Sequence, residues 1–434
     1  MKFYVHKLGC PKNDVDADYI AARLIADGHE PAADPRQAES ILVNTCGFIL
    51  PAKEESINEL LRLGQLKKEG RLKTLYAVGC LAQRYGHELL NNMPELDGAF
   101  GLGAIDSLAE AVNSSSSDKK CIKNESHFLD YINFKDRFVG DSCPYAYLKI
   151  SDGCNRGCSY CAIPDIRGRY RSRPVESIVR EAEFLASKGK KELILVSQEA
   201  TMYGIDLKDH PTLIDLLQAL ESIEGIKWIR VMYLHPAQLD LKLIEYLADD
   251  NKTLNYFDLP IQHVNSDILL AMGRQIDRAG IELLLRTIRT ISPKAVLRTN
   301  FIVGFPGETQ GQFEELKDFV AAYEFDRMGV FTYSFEEGTP AAVLGDQIPE
   351  RVKAELQRGI VFAKNESLIG TVQEVIIDSM DGNTAVGRTR GDSPEIDQEI
   401  YVRGEKLVVG DIINVRIDSA DGYDLYGTKV EVDE

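Results

Sequence analysis

The 434-residue chain contains no run approaching 18 apolar residues, so no helical membrane span is expected. Its first ten residues, Met1-Lys-Phe-Tyr-Val-His-Lys-Leu-Gly-Cys10, lack the long apolar stretch and small-residue cleavage site of a secretory leader. A cytoplasmic protein is therefore expected. Positive charge is also short: 50 Lys and Arg stand against 68 Asp and Glu, a formal net charge of −18. That sign is wrong for a chain held to nucleic-acid phosphates and suits a basic protein partner. An apolar share of 44% with 27% charged residues argues against a disordered chain. Eight cysteines in a reduced compartment do not suggest a disulfide framework; metal binding or redox chemistry is the leading reading. At roughly 150 residues per domain, the length predicts about three domains.

Residues 1–135 alternate strands (2–8, 40–44, 74–78) with helical patterns (16–27, 52–63, 81–91), which predicts an α/β unit with a doubly wound parallel sheet. Cys10, Cys46 and Cys80 each fall just past the carboxyl end of a predicted strand, on the edge where such sheets bind ligands. They could meet there, or be three separate buried thiols. The polar stretch 113–121 reads as a linker or loop. Residues 140–369 carry six predicted strands (145–150, 192–197, 228–234, 255–259, 295–303, 329–333) with helices between and a last helix near 349–368, a partial (β/α) barrel of about six units. Residues 371–434 hold five short β runs and turn signals, a small antiparallel β-barrel. This last segment has 15 acidic and 6 basic side chains, net −9, half the charge of the whole chain.

Cys154-Asn-Arg-Gly-Cys158-Ser-Tyr-Cys161 follows a predicted strand in a Gly-containing loop. Three thiolates so close can hold three irons of a four-iron four-sulfur cluster, leaving the fourth iron to an amine and a carboxylate of a small molecule. Zinc is the alternative, with Cys143 as a possible fourth thiol. The triplet resembles the signature of radical S-adenosylmethionine (SAM) enzymes. Leu8-Gly-Cys-Pro-Lys-Asn13, Asn44-Thr-Cys-Gly-Phe48, Val78-Gly-Cys80 and the acidic terminal barrel resemble the methylthiotransferases of that superfamily over essentially all 434 residues. The resemblance implies two 4Fe-4S clusters, a radical-generating one on Cys154, Cys158 and Cys161 and an auxiliary one on Cys10, Cys46 and Cys80. It also implies two SAM molecules per turnover, an electron donor, a sulfur donor and a terminal TRAM domain. Cys121 and Cys143 fall outside both sets.

Two sub-families compete, one acting on an isopentenylated adenosine of tRNA, the other on the β-carbon of an aspartate in small-subunit ribosomal protein S-twelve. Cys161-Ala-Ile-Pro-Asp-Ile-Arg-Gly-Arg-Tyr-Arg-Ser-Arg-Pro174, Ser197-Gln-Glu-Ala-Thr-Met-Tyr-Gly204 and Gly387-Arg-Thr-Arg-Gly-Asp-Ser-Pro-Glu-Ile-Asp397 resemble the second, the RimO type; Glu199-Ala200 replace the Asp-Thr usual there. The −9 barrel agrees, since it repels phosphate and suits a basic ribosomal protein, with Glu395, Asp397 and Glu399 expected to form a local field for it. A merely solubilising surface is the alternative for that acid, and a non-catalytic iron–sulfur or zinc scaffold is the rival of a different class.

Supporting residues follow the barrel strands. Ser197, Gln198 and Glu199 could hold the cofactor's amino group or ribose. In Gly304-Phe-Pro-Gly-Glu-Thr309, Gly304 and Gly307 would allow close approach of a nucleoside next to Glu308, while Thr309 and Gln312 have capping-box spacing, which a plain helix start also explains. Gln262 and His263 follow the fourth strand, with satisfied backbone groups as the alternative. Arg167, Arg169, Arg171 and Arg173 alternate and would share one face if extended.

Overall fold

The computed structural model describes residues 1–114, 120–122, 137–140, 143–249, 251–345, 347–358, 365–382, 384–421 and 424–430. Positions 115–119 of the polar stretch, the predicted boundary near 135 and residues 359–364 of the last predicted helix lie outside these.

The first unit has six parallel strands: β1 (Lys2–Lys7), β2 (Glu30–Pro31), β3 (Ser40–Thr45), β4 (Thr74–Gly79), β5 (Gly98–Phe100) and β6 (Lys120–Ile122), in the order β2-β1-β3-β4-β5-β6. Strands β3 and β4 are buried from end to end, as strands covered on both faces must be. Its helices are α1 (Pro11–Ala26), α2 (Leu50–Lys68), α3 (Cys80–Asn92) and α4 (Ile105–Ser114). Helices α1 and α4 cover one face through Ile20, Leu24, Leu108 and Val112. Helices α2 and α3 cover the other through Leu60, Leu63, Leu81 and Leu89. The sheet is doubly wound as expected. Its order reverses between β1 and β3, which opens a crevice at their carboxyl ends. Part of the predicted linker is instead the edge strand β6, where Lys120–Ile122 pairs with Gly98–Phe100.

The second unit contains β7 (Tyr145–Lys149), β8 (Ser151–Asp152), β9 (Arg171–Ser172), β10 (Glu192–Val196), β11 (Trp228–Val231), β12 (Tyr256–Gln262), β13 (Val296–Val303) and β14 (Arg327–Thr332). Two parallel runs, β11-β10-β7 and β12-β13-β14, are joined by a bridge between Ile229 and Thr253, so six strands follow each other in chain order around an open barrel. The helices are α5 (Ile163–Arg167), α6 (Val175–Ser187), α7 (Leu213–Glu221), α8 (Leu241–Ala248), α9 (Ser266–Ala271), α10 (Arg278–Ile291), α11 (Gln310–Tyr323) and α12 (Glu350–Arg358). Helix α11 opens with the Thr309–Gln312 capping box, formed in both directions, and α7 with Thr212–Asp215. Leu148, Leu195, Val231, Leu259 and Leu297 join the apolar core between strands and helices. Alternate residues of the same strands, among them Tyr147, Glu192, Arg230, Tyr256 and Arg298, are buried and polar.

The third unit is a closed five-stranded barrel of β15 (Val372–Asp381), β16 (Thr384–Thr389), β17 (Ile400–Arg403), β18 (Ile412–Asp421) and β19 (Asp424–Lys429). It is antiparallel except where β17 runs parallel to β19, a departure from the all-antiparallel expectation. The connection from β16 to β17 docks against the amino-terminal ends of the second unit's strands. Arg388 pairs with Glu192 (2.8 Å), and Asp397 accepts from Arg298 (3.1 Å) and the Tyr256 hydroxyl (2.7 Å). Asp392 pairs with Arg327 (2.5 Å), and Glu395 accepts from Tyr147 (3.0 Å) and Tyr145 (3.2 Å). This corrects the expected role of Asp397, whose carboxylate is turned inward. It satisfies the buried Tyr256 phenol and shares Arg298 with Asp258 (2.9 Å), whereas Glu395 bonds the two phenols from an exposed position. Glu395, Glu399 and the other exposed acids of the small barrel set its outward field.

Candidate functional site: two cysteine triads at facing strand ends

Cys10 ends the turn after β1 and precedes Pro11, the first residue of α1, where a missing N–H costs nothing. Cys46 follows β3, and Cys80 opens α3 directly after β4. Two glycines make the approach possible. Gly9 has φ +93°, and a Cβ there would lie 2.8 Å from Cys46 Cβ; Gly79 has φ +88°, and a Cβ there would press into Asn44 Oδ1 and stand 2.9 Å from Thr45 O. Gly79→Ala is expected to lower stability by about 2 kcal/mol, combining a left-handed backbone with that clash. Chemical denaturation measures the loss.

Cys10 and Cys80 lie close enough to oppose the ionisation of Cys46, and Cys10 that of Cys80. Burial pushes Cys46 up to about 12 and Cys80 upward as well. Asn13 braces the crevice: its Nδ2 donates to Leu8 O (3.0 Å) and Thr45 O (3.2 Å), and its Oδ1 accepts from Arg167 Nη2 (2.8 Å).

Cys154, Cys158 and Cys161 lie on the loop between β8 and α5. Cys154 N–H donates to Gly168 O (3.1 Å), Ser159 N–H to Met272 O (2.9 Å) and Cys161 N–H to Cys158 O (3.1 Å), so the loop is pinned by backbone on both sides. Burial pushes Cys161 up to about 12 and Cys154 upward. Both triads are all-thiol donor sets whose protons would have to leave on iron binding. N–H groups point at sulfur, among them Arg156 N to Cys154 (3.4 Å), Arg274 Nη1 to Cys158 (3.5 Å) and Arg167 Nη2 to Cys80 (3.5 Å). Donors of this kind stabilise thiolate ligands and tune a cluster's potential. Among the described residues no three His, Cys, Asp or Glu side chains close on one ion-sized point. A cubane offers each thiolate its own iron and so suits a wider spacing.

Helix α5 links the two mouths. It begins just after Cys161 and ends at Arg167, which is buried and also grips Asp152 (2.9 Å) and Asp16 (3.1 Å). Five residues rise about 7.5 Å, so this short helix and the Arg167 side chain connect the loop of one triad to Cys80 of the other. Cys143 lies apart, at the start of β7 near Lys190, Asp378 and Glu395, and Cys121 sits on the edge strand β6.

The other predicted residues divide. Ser197 and Gln198 follow β10, and the Ser197 hydroxyl and both amide atoms of Gln198 are buried without hydrogen-bond partners. Glu199 is buried and pairs with Arg156 of the cysteine loop (2.6 Å). His263, buried after β12, meets Glu308 (3.2 Å), whose other oxygen accepts from the N–H groups of Gly304 and Phe305. The side of Gly304 that a Cβ would occupy is filled by Lys353, whereas Gly307 has nothing within 4 Å of that position. Gln262 adopts φ +77°. The four arginines do not share a face: Arg167 ends α5, Gly168 turns the chain at φ +74°, and Arg173 is buried on Glu181 (2.6 Å). Motif reading left Lys12, Arg274 and His235 out of the site. Burial, with Arg274 and Arg156 nearby, takes His235 down to about 2, so it acts only as a neutral imidazole. For Lys12 the signal was present, inside the quoted Leu8–Asn13 string; for the other two there was none.

Residues 148–320 match the Radical SAM superfamily, residues 2–101 the Uncharacterized protein family UPF0004 and residues 369–430 the TRAM domain. The ribosomal protein uS12 methylthiotransferase RimO of Acetivibrio thermocellus is 43% identical, covering 98% of both chains. Those of Desulforamulus reducens (42%, 97% of both) and Clostridioides difficile (41%, 98% of both) are similar. The chain belongs to the RimO family of radical SAM methylthiotransferases. Among solved structures, the radical SAM methyltransferase TsrM of Kitasatospora setae, with cobalamin and a 4Fe-4S cluster bound, superposes with TM-score 0.54 at 16% identity over 88% of this chain and 81% of that one. That likeness is one of fold. No helix among the described residues is long and apolar enough to cross a membrane.

Proposed function

We propose that this enzyme attaches a methylthio group to the β-carbon of an aspartate in ribosomal protein uS12. The observation that carries the reading is the pair of three-cysteine sets linked through α5 and Arg167 in a chain matched to RimO enzymes over nearly its whole length. Cys154, Cys158 and Cys161 hold one 4Fe-4S cluster, and Cys10, Cys46 and Cys80 a second. With SAM these groups supply a hydrogen-abstracting radical at one mouth and a sulfur-bearing site at the other.

The chain's own residues bind and orient. Ser197 and Gln198 offer a hydroxyl and an amide that the fold leaves unsatisfied, placed to meet polar atoms of SAM. Arg156 holds Glu199 beside the cysteine loop for the same ligand. Glu308 fixes His263 and the turn at Gly304, leaving open space at Gly307. Arg167, Arg274 and the N–H of Arg156 keep charge-stabilising donors on the sulfurs. An electron donor and a sulfur donor complete the partners, and the substrate places the reaction in the cytoplasm.

Mass spectrometry of ribosomal proteins and of tRNA nucleosides, from cells with and without this protein, tests the reading. A methylthio group should appear on one uS12 aspartate only when the protein is present. Dependence of a methylthio-adenosine instead would transfer the enzyme to tRNA, and dependence of neither would favour the scaffold.

A further inference from the structure

We propose that Glu336 is a positioning residue that fixes the two cysteine triads relative to each other, so that SAM cleavage at one stays coupled to methylthio transfer at the other. The coupling rests on the function proposed above. Glu336 belongs to segment 333–345, which leaves the last barrel strand β14 and crosses to the first unit. It is 1% exposed, and its ion pairs among the described residues are with that other unit: Lys53 Nζ of α2 (2.8 Å) and Arg84 Nη1 of α3 (2.7 Å). Both donors converge on Oε2, while Oε1 accepts from the Ser334 hydroxyl (3.0 Å).

The same segment reaches the backbone beside both triads. Arg84 also donates to Gly47 O (2.7 Å), next to Cys46, and to Glu337 O (3.4 Å). The Leu50 N–H, at the start of α2, donates to Ser334 Oγ (3.0 Å). Farther along, the Ala341 N–H donates to Ser159 O (2.8 Å), between Cys158 and Cys161. Gly338, at φ +82°, turns the chain past α5, where a Cβ would stand 3.9 Å from Asp165 Oδ2. A short strap thus ties the turn behind Cys46 to the loop that carries Cys158.

Burying a carboxylate is costly unless it is paired, and apolar side chains in place of a buried ion pair are often neutral or stabilising. Glu336 finds its cations on the first unit, so it adds nothing to the second unit's own core. What it supplies is registry, because two charged donors on one oxygen fix a position that apolar surfaces would let slide. The opposite face of the first unit is attached separately. There Tyr19 of α1 donates to Glu181 (2.8 Å), and Asp16 pairs with Lys149 and with Arg167 (3.1 Å). Attachment through α1 alone would leave a hinge, and the strap closes it from the face of α2 and α3. Reactive groups carried by separate units have to converge on one substrate carbon, where a misplacement of about 1 Å can cost about a hundredfold.

The test compares the cluster-loaded native enzyme with Glu336→Gln, which keeps the shape of the side chain and removes its charge. Glu336→Gln should retain the iron of both triads and its SAM cleavage. Hydrogen exchange at Leu50 and Ala341 should quicken, and the magnetic broadening between the two reduced clusters should change. Methylthio product per SAM cleaved, measured on a uS12 target-loop peptide, should fall about tenfold to a hundredfold. Lys53→Gln, made on the other unit, should move every reading in the same direction, and it decides the question if Glu336→Gln does not fold. An unchanged ratio of product to cleaved SAM in an iron-replete variant overturns the proposal. So does a fall in cleavage or iron that matches the fall in product, since the residue would then serve one site and not their relative placement. If the native enzyme places no methylthio group on the peptide, the uS12 reading fails, while hydrogen exchange and cluster broadening still decide whether Glu336 sets the placement.

Discussion

Replacing Cys154, Cys158 and Cys161 together by Ala is expected to abolish SAM cleavage and remove about half of the iron, because each triad can carry one cluster. Replacing Cys10, Cys46 and Cys80 should remove the other half, leave cleavage in place and stop methylthio transfer. The asymmetry follows from the positions. The first triad shares its loop with Arg156, which reaches Glu199 beside the unsatisfied Ser197 and Gln198. The second lies in the sheet crevice of another unit and meets the end of that loop through Arg167 and through apolar packing of Cys80 with Ala162 and Ile166. Ala at Cys46 and Cys80 also leaves small apolar groups in buried positions, so the sheet should survive while its donors vanish. Iron and sulfide analysis with chromatography of cleaved SAM reads both arms. Methylthio product from the second triple variant would show that sulfur is delivered elsewhere, and the role given to Cys10, Cys46 and Cys80 would have to be abandoned.

The units and the triads were legible because both rest on long, strongly patterned signals. Each of the six barrel strands is an apolar run that the structure reproduces to within three residues at either end, and Cys10, Cys46 and Cys80 each follow a comparable run of the first unit. The short strands β2, β5 and β6 escaped, since two or three residues show no periodicity. Tertiary placement was less legible. Lys12 and Ser197 meet across 185 positions, and no local pattern records that. The arginine alternation misled because it assumed an extended chain where a helix ends on a left-handed glycine. The acids of the terminal barrel misled because net charge does not say which carboxylates face inward; Asp397 meets a buried phenol and an arginine, while Glu395 bonds two phenols and stays exposed.

That inward charge makes Glu192→Leu the variant with the largest expected effect on stability. Glu192 is fully buried between Arg230 (2.8 Å) and Arg388 (2.8 Å), the second of which belongs to the terminal barrel. Removing the carboxylate leaves two guanidiniums facing each other without their shared counter-charge, and breaking a buried pair in this way costs roughly 3–5 kcal/mol. Arg388 keeps Asp378, so the small barrel itself should stay folded while its hold on the second unit fails. Limited proteolysis should then release a fragment of the last 60 or so residues, and the thermal transition should split in two. The same link predicts acid sensitivity. The arginines offset the burial of Glu192 and hold its carboxyl below the usual glutamate range. Its contribution is therefore complete above the unfolded value near 4.5 and lost as the pH falls through the lower folded one. Asp378 works in the opposite sense, because burial outweighs the same guanidinium and pushes it up. Detachment on acidification should thus begin below about pH 4.5 in the native protein and be absent as a separate step in Glu192→Leu, where the interface is already lost. A variant that keeps one cooperative transition with undiminished midpoint would show that the small barrel is held by its apolar contacts, with Ile376 and Ile396 packed beside Trp228 and Tyr256 sufficing without the charge network.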